Sequence, residues 1–507
     1  NDTTSRTVTS SFTYDNCGNL TREIVADPSA PTGTLSDNAA VFASYGGGCN
    51  AHRVCVGICD RASSTSQVGG VSKQFTHDTR GNVVTAITVG PGNPTIQMSY
   101  DLAGNLLTTR SPRGTLTQLS YDALKLRPTT KTEDAGGAAL TTTYQYDERF
   151  GAVIRTTGPN GAACGSTAIE FDEFGRLAKE IEPGQSSAQP TREYQYILGN
   201  LSAIITRQLE LEPTASYRDT AQIVDGAGRL LQKQARQLVN GVPKTVVSDN
   251  VVRSVGGRVT QVAAPLVVDT AVGNLVTIAA SAPSTTYSLD ELGRVVRVTA
   301  PDGRATTTTR ATVRVTRACD GRHTMNAAEG ACMETQLDGL GRTIEERTYL
   351  GAGAQSYSAR TQVYDGGGRV IQTVQNGNPA TTVTISHDAL GRRVQVSDPD
   401  SGVWRYGYDA DGNPTYVDDP APGQHEEVQF DGLGRPLKRW TYGSDAYVGS
   451  AGTAVATYTY DTAVCGRGRV ARVDDESGFT AVARYDARGN VVQGTKSITF
   501  EGTTRAF

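Results

Sequence analysis

Four side chains in one short stretch, Cys49, His52, Cys55 and Cys59, form the densest group of potential metal ligands in this 507-residue sequence. Three thiolates and an imidazole make a legal tetrahedral set for zinc, but no Cys-x-x-Cys knuckle brings two of them onto one tight turn. Disulfide chemistry is the favoured reading of the same residues. Three cysteines allow one internal bridge and leave a thiol for a distant partner. Cys319 and Cys332 are spaced to close a loop of their own, and Cys17, Cys164 and Cys465 lie singly elsewhere. The pairing is open from sequence alone.

Other chemistry has little to stand on. There is no Gly-x-Ser-x-Gly elbow, phosphate loop or His-Glu-x-x-His pair. His77, His323, His387 and His425 are scattered, and His77 and His387 occupy positions where an aromatic otherwise recurs. Repeated aspartates raise the thought of a glycosidase carboxylate pair, but each already has a turn to hold. Asp409-Ala410-Asp411-Gly412-Asn413 superficially resembles a calcium loop, with its glycine two positions too early for an EF-hand. Asn19 and Asn200 head glycosylation sequons by pattern. No catalytic residue, no cofactor and no enzymatic activity are expected.

What must position any functional group is a phrase that recurs along the whole chain: an aromatic or His, Asp, two loose residues, Gly, then Arg or Asn. Tyr100-Asp101-Leu102-Ala103-Gly104-Asn105 is one copy. The Asp and Gly pairs are Asp15 and Gly18, Asp78 and Gly81, Asp101 and Gly104, Asp172 and Gly175, Asp225 and Gly228, and Asp290 and Gly293. The series continues with Asp338 and Gly341, Asp365 and Gly368, Asp388 and Gly391, Asp409 and Gly412, Asp431 and Gly434, and Asp486 and Gly489. Worn copies start at Asp122, Asp147, Ser254 and Asp461. Asp accepts hydrogen bonds from amides further along a turn, and Gly tolerates the positive φ of a tight hairpin. The flanks, such as Thr141–Tyr146 and Thr457–Tyr460, alternate in period two and are rich in Thr, Val and Tyr, the pattern of strands. One repeat reads as strand, Asp–Gly turn, strand and a looser connection. The Tyr before Asp is expected to pack across its own hairpin on the aliphatic after Arg or Asn.

This phrase resembles the signature of the RHS/YD-repeat family, and the resemblance covers residues 12–495. It implies an all-β fold, a spiral of antiparallel β-hairpins forming a continuous ribbon, shell or tube. In bacterial toxin complexes and RHS effectors such a shell encloses a C-terminal toxic segment; in wall-associated proteins and teneurins it belongs to extracellular contact machinery. RHS effectors end their core with an Asp-Pro-x-Gly-Leu stretch for aspartyl self-cleavage. Asp398-Pro399 and Asp419-Pro420 lack that context, so neither the self-protease nor the toxin is expected within this sequence.

Composition fits a secreted or cell-surface β protein. There are 56 Gly and a net charge of only −4, and most of the basic residues are Arg, many of them placed after the repeat Gly. No basic block suggests nucleic acid, and no apolar run is long enough to span a bilayer. Residues 1–507 are expected to be one repeat array, interior to a longer polypeptide, with insertions at 21–74 and 297–336. The expected partners are the remaining segments of that polypeptide, including an enclosed toxin. A glycan or cell-surface receptor and self-assembly are the others. The two functional readings are a shell that encapsulates cargo and, as the alternative, an extracellular fibre or adhesion protein.

Overall fold

The computed structural model describes residues 9–15, 19–26, 38–45, 48–49, 55–56, 62–67, 71–199, 201–210, 216–326, 329–351, 358–421, 425–442, 454–500 and 503–506. Strand dominates them, and the single turn Gly321–Met325 is the one α-helix among the described residues. Two antiparallel meanders carry the chain. A 20-stranded sheet runs from Thr9–Tyr14 to Leu266–Val268, and a 21-stranded sheet from Asn250–Arg253 to Thr503–Ala506.

Strands cross both segments read as insertions. Leu20–Ala26, Asn38–Tyr45 and Ala62–Gln67 pair in turn within the first. Ala305–Arg310, Val315–Cys319 and Ala331–Leu337 do so within the second. Among the described residues, these segments depart from the two large sheets at the two-stranded Gly48–Cys49 and Cys55–Val56 element and at the short helix.

Each meander has two unlike edges. Along one, pairing slips beside the repeat turn, as at Thr13/Tyr14, Thr76/His77, Ser288/Leu289, Val363/Tyr364 and Gln429/Phe430. Hairpins at the other edge, such as those closed by Glu133 and Leu140, Thr299 and Ala305, or Asp398 and Gly402, pair without a slip. A bulge lengthens and twists the strand that carries it. Bulges confined to one edge therefore bend the ribbon into a coil.

The best-formed core lies near the junction of the two sheets. On Ser202–Glu210, Ser216–Val224, Leu230–Val239 and Val242–Ser248, cross-strand partners Ala203 and Ile223, Ile205 and Ala221, and Gln234 and Val247 share one face. All six are buried, Val247 and Ile223 almost completely. The strand Leu266–Val268 pairs back onto Val242–Ser248, and the strap that follows crosses this face. Buried Gln234 donates from Nε2 to the Asn274 carbonyl (2.7 Å), and its Oε1 accepts from the Gly273 amide (2.8 Å). Gln232 Oε1 likewise accepts from the Val276 amide at 3.0 Å. Two buried amide side chains thus satisfy strap backbone that would otherwise be stranded away from water.

Candidate functional site

The repeat turns are held by their Asp at two or three points. In the copy at Asp101, Oδ1 accepts from the amides of Ala103 and Asn105 (both 2.9 Å), and Oδ2 accepts from Asn105 Nδ2 (3.1 Å). The backbone closes with Asp101 N donating to Asn105 O (2.9 Å) and Gly104 N to Asp101 O (3.1 Å). Where Arg replaces Asn, Nε takes over: Arg392 to Asp388 and Arg435 to Asp431 are both 2.7 Å. The same backbone closure recurs at Asp78, Asp172, Asp225, Asp290, Asp338, Asp365, Asp388, Asp409, Asp431 and Asp486. Gly81, Gly104, Gly175, Gly228, Gly293, Gly341, Gly368, Gly391, Gly412, Gly434 and Gly489 have φ between 74° and 94°, the region that favours glycine. Asp15 bonds Asn19 in the same way, while Gly18 lies outside the described residues.

These hydrogen bonds favour the charged carboxylate. Asn105's backbone amide and then its side chain hold the Asp101 carboxyl below the usual range. The Asn82 and Asn490 side chains do so first for Asp78 and Asp486, and the Arg229 and Arg294 amides for Asp225 and Asp290. In the worn copy at Asp147, the Arg149 guanidinium lowers the carboxyl to about 2.

The repeat Tyr links one repeat to the one before. Tyr100 and Leu106 are register partners across the hairpin, but the Tyr100 hydroxyl donates to the Val83 carbonyl of the preceding repeat (2.9 Å). Tyr121, Tyr364, Tyr408 and Tyr485 donate in the same way to Leu106, Thr343, Arg393 and Val470. Arg342, Arg392 and Arg435 of one repeat lie over Tyr364, Tyr408 and Tyr460 of the next, 4.3–4.7 Å from the ring centroids. The Arg after Gly therefore braces its own Asp and the neighbouring Tyr together.

Repeat turns of the second sheet dock on the opposite-edge loops of the first, about 300 residues earlier. Ser111 Oγ donates to Asp411 Oδ2 and the Arg113 amide to Asp411 Oδ1, both at 3.0 Å. The Arg113 guanidinium donates to the carbonyls of Phe430 (2.7 Å) and Asp431 (3.0 Å) and pairs with Asp409 at 3.1 Å. Thr115 Oγ1 donates to Gly432 O (2.8 Å). Further along, the Arg467 amide donates to Asn160 Oδ1 (2.7 Å) and its guanidinium to the Ala138 carbonyl (2.7 Å). Arg488 faces Glu182. A Cβ at Gly165 would lie 2.9 Å from the Ala487 Cβ and meet Pro183 as well, which shows how closely the layers approach.

A disulfide joins the layers: Cys164–Cys465, Cα atoms 5.4 Å apart and 301 residues apart in sequence. The turn that supplies Cys465 is enlarged for the purpose. Asp461 N donates to Arg469 O, eight residues on instead of four, and Asp461 Oδ1 accepts from Gly468 N (2.6 Å). Neither this pairing nor the layer contacts were legible in the sequence; the one signal was that Asp461 begins an irregular copy carrying a cysteine.

Cys319 and Cys332 form the second described disulfide, as register partners on adjacent strands. Cys49 and Cys55 are Cα partners in their small hairpin, whereas Cys17, His52 and Cys59, and with them the four-ligand zinc alternative, lie outside the described residues. In the calcium-like stretch, Asp409 and Asp411 engage protein donors at the layer contact. His77 and His387 sit at repeat-Tyr positions; burial, then Arg369, lowers the His387 pKa. His425 is buried beside Asp418, Nδ1 to Oδ1 2.6 Å. Asn200 is outside the described residues. Among them, no helix is long and apolar enough to cross a membrane.

The RHS repeat family model matches residues 100–139, 269–305 and 387–422. The chain carries RHS repeats at these three sites. Its fold is similar to that in the Photorhabdus luminescens Tc holotoxin pore, with a TM-score of 0.77, 13% identity, and coverage of 98% of this chain and 34% of that one. The TcdB2-TccC3 structure without its hypervariable C-terminal region gives 0.77 at 12% identity, covering 99% and 35%. TcdB2-TccC3 with Cdc42 gives 0.74 at 13%, covering 96% and 34%. This chain thus spans about a third of the length of the chains it matches. No curated protein sequence matches it.

Proposed function

We propose that this chain is a section of the wall of a hollow extracellular RHS shell that encapsulates a polypeptide cargo. The observation that carries the reading is the layer contact. A ribbon whose repeat turns seat on its own loops about 300 residues earlier, with Cys164 bonded to Cys465, supports a coiled wall over a straight rod. Similarity to toxin-complex structures supports the same reading. The wall's contribution is isolation: it performs no covalent step and keeps its contents from solvent and proteases. Docking of coil on coil within one chain disfavours the adhesion-fibre alternative.

The test is electron microscopy of the full natural polypeptide, combined with limited proteolysis. A hollow particle that shields an internal segment from protease, and loses the shielding when opened with denaturant, is expected. A solid rod or filament with every segment equally cleavable would overturn the proposal.

A further inference from the structure

The structure assigns a second, unanticipated role to the Cys319–Cys332 pair: we propose that, once reduced, Cys319, His323 and Cys332 bind a thiophilic divalent cation, with zinc as the reference ion. The ligand atoms of these three residues all lie within 4.8 Å of one another, room for an ion about 2.3 Å from sulfur and about 2.0–2.1 Å from nitrogen. The local fold delivers the third ligand. Strand Val315–Cys319 ends at Asp320, whose carboxylate accepts from the His323 amide (2.8 Å) and starts the turn Gly321–Met325. That turn sets His323 over the strand pair before the chain returns with Cys332 opposite Cys319. A Cβ at Gly330 would run into the His323 backbone, so the glycine allows the close approach.

An independent observation points to a ligand. His323 Nδ1 is buried with no hydrogen-bond partner, a state that costs free energy unless something satisfies the nitrogen. Cys332 is 1% exposed. Two thiolates and a neutral imidazole would neutralise a divalent ion, which suits a site whose Cys332 ligand is buried.

The chemistry balances in two steps. A dithiol reductant supplies two electrons and two protons to the S–S bond, which breaks to two thiols while the reductant closes its own disulfide. The cation then displaces both thiol protons, takes one imidazole nitrogen, and keeps a water in the fourth position. Oxidised, the site is a disulfide; reduced, it is a metal clasp over the same two strands.

Cobalt(II) titration of the full chain, reduced and kept anaerobic, tests this. Relative to reduced Cys319→Ser/Cys332→Ser, the unsubstituted chain is expected to bind one more equivalent, with thiolate-to-cobalt charge-transfer bands and intense tetrahedral d–d bands. Equal stoichiometry and spectra in the two would overturn the proposal. Should the double variant misfold, His323→Gln, which retains the disulfide, decides instead. Losing one of three protein–metal bonds should weaken binding roughly 100-fold or more, whereas unchanged affinity would sink the proposal. The oxidised chain should lack this equivalent; its presence there would also refute the redox dependence.

Discussion

The strapped hub formed by residues 202–282 and the coiled wall on either side of it are stabilised by different physics. In the hub, Ile223, Val247, Ala203 and Ala221 are almost completely buried and two glutamines satisfy the strap. It is a small conventional core. In the wall most side chains are only half-buried, and each repeat is tied to the next by Asp–amide bonds, Tyr–carbonyl bonds and Arg–Tyr stacking. The hub depends on what it excludes from water. The wall depends on repetition, each unit leaning on its neighbours as in other repeat proteins.

The two can be broken separately. The largest effect should follow Cys164→Ser/Cys465→Ser, which releases a cross-link spanning 301 residues, for which chain entropy gives about 5–6 kcal/mol. Hydrogen exchange should then speed up at Ser111–Thr115 and Asp409–Asn413 on the layer contact, with the hub unmoved. Equal exchange in variant and parent would show that the polar layer contacts suffice alone. Ile223→Ala comes next and is the converse probe. Loss of a fully buried side chain costs about 2–5 kcal/mol, and denaturant unfolding should show the hub transition shifted while wall protection is kept.

Gln234→Ala should cost less, about 1–3 kcal/mol, because it strands the Gly273 amide and the Asn274 carbonyl. Exchange at Gly273 should rise before that at Val247. The smallest effect per residue is acid titration of a repeat turn. Folded carboxyls at Asp78, Asp101, Asp225, Asp290 and Asp486 lie below their ordinary value, and Asp147 lies at about 2. A depressed carboxyl contributes stability above its unfolded value, near ~3.9, and loses it as pH falls through the folded value. As pH falls below about 4, the turn amides of Asn82 and Asn105 should lose protection while Gln234, bonded to neutral groups, keeps its own. If hub and turns opened together on acidification, the division between them would be wrong.

Much of the wall was legible because its determinants are local. Asp101, Gly104 and Asn105 sit within one turn, and the flanking alternation sets the strands. The role of Tyr100 was half legible: its cross-hairpin partner Leu106 follows from register, but its hydroxyl reaches back to Val83, a geometry set by the stacking of repeats. The layer contact was not legible. Its partners, such as Ser111 and Asp411, are fixed by how far the coil advances per turn, a sum over many bulges that no single motif encodes. The strap was hidden for another reason. Gln232 and Gln234 look like solvent-facing strand residues until the 269–282 segment covers them.

The unlikeness of the ribbon's two edges has a consequence for assembly. Among the described residues, repeat turns of the second sheet seat on plain hairpin loops of the first, so the contact is heterologous in the sense used for subunit interfaces. At the turn edge of the first sheet, Leu102, Leu124 and Phe174 are 84%, 76% and 77% exposed, whereas Leu390 of the second sheet is seated against the first at Gly90. A wall with this polarity has a grain, like masonry laid in one direction. A layer added through this contact enters head to tail, so chain length rather than symmetry sets how far the wall extends.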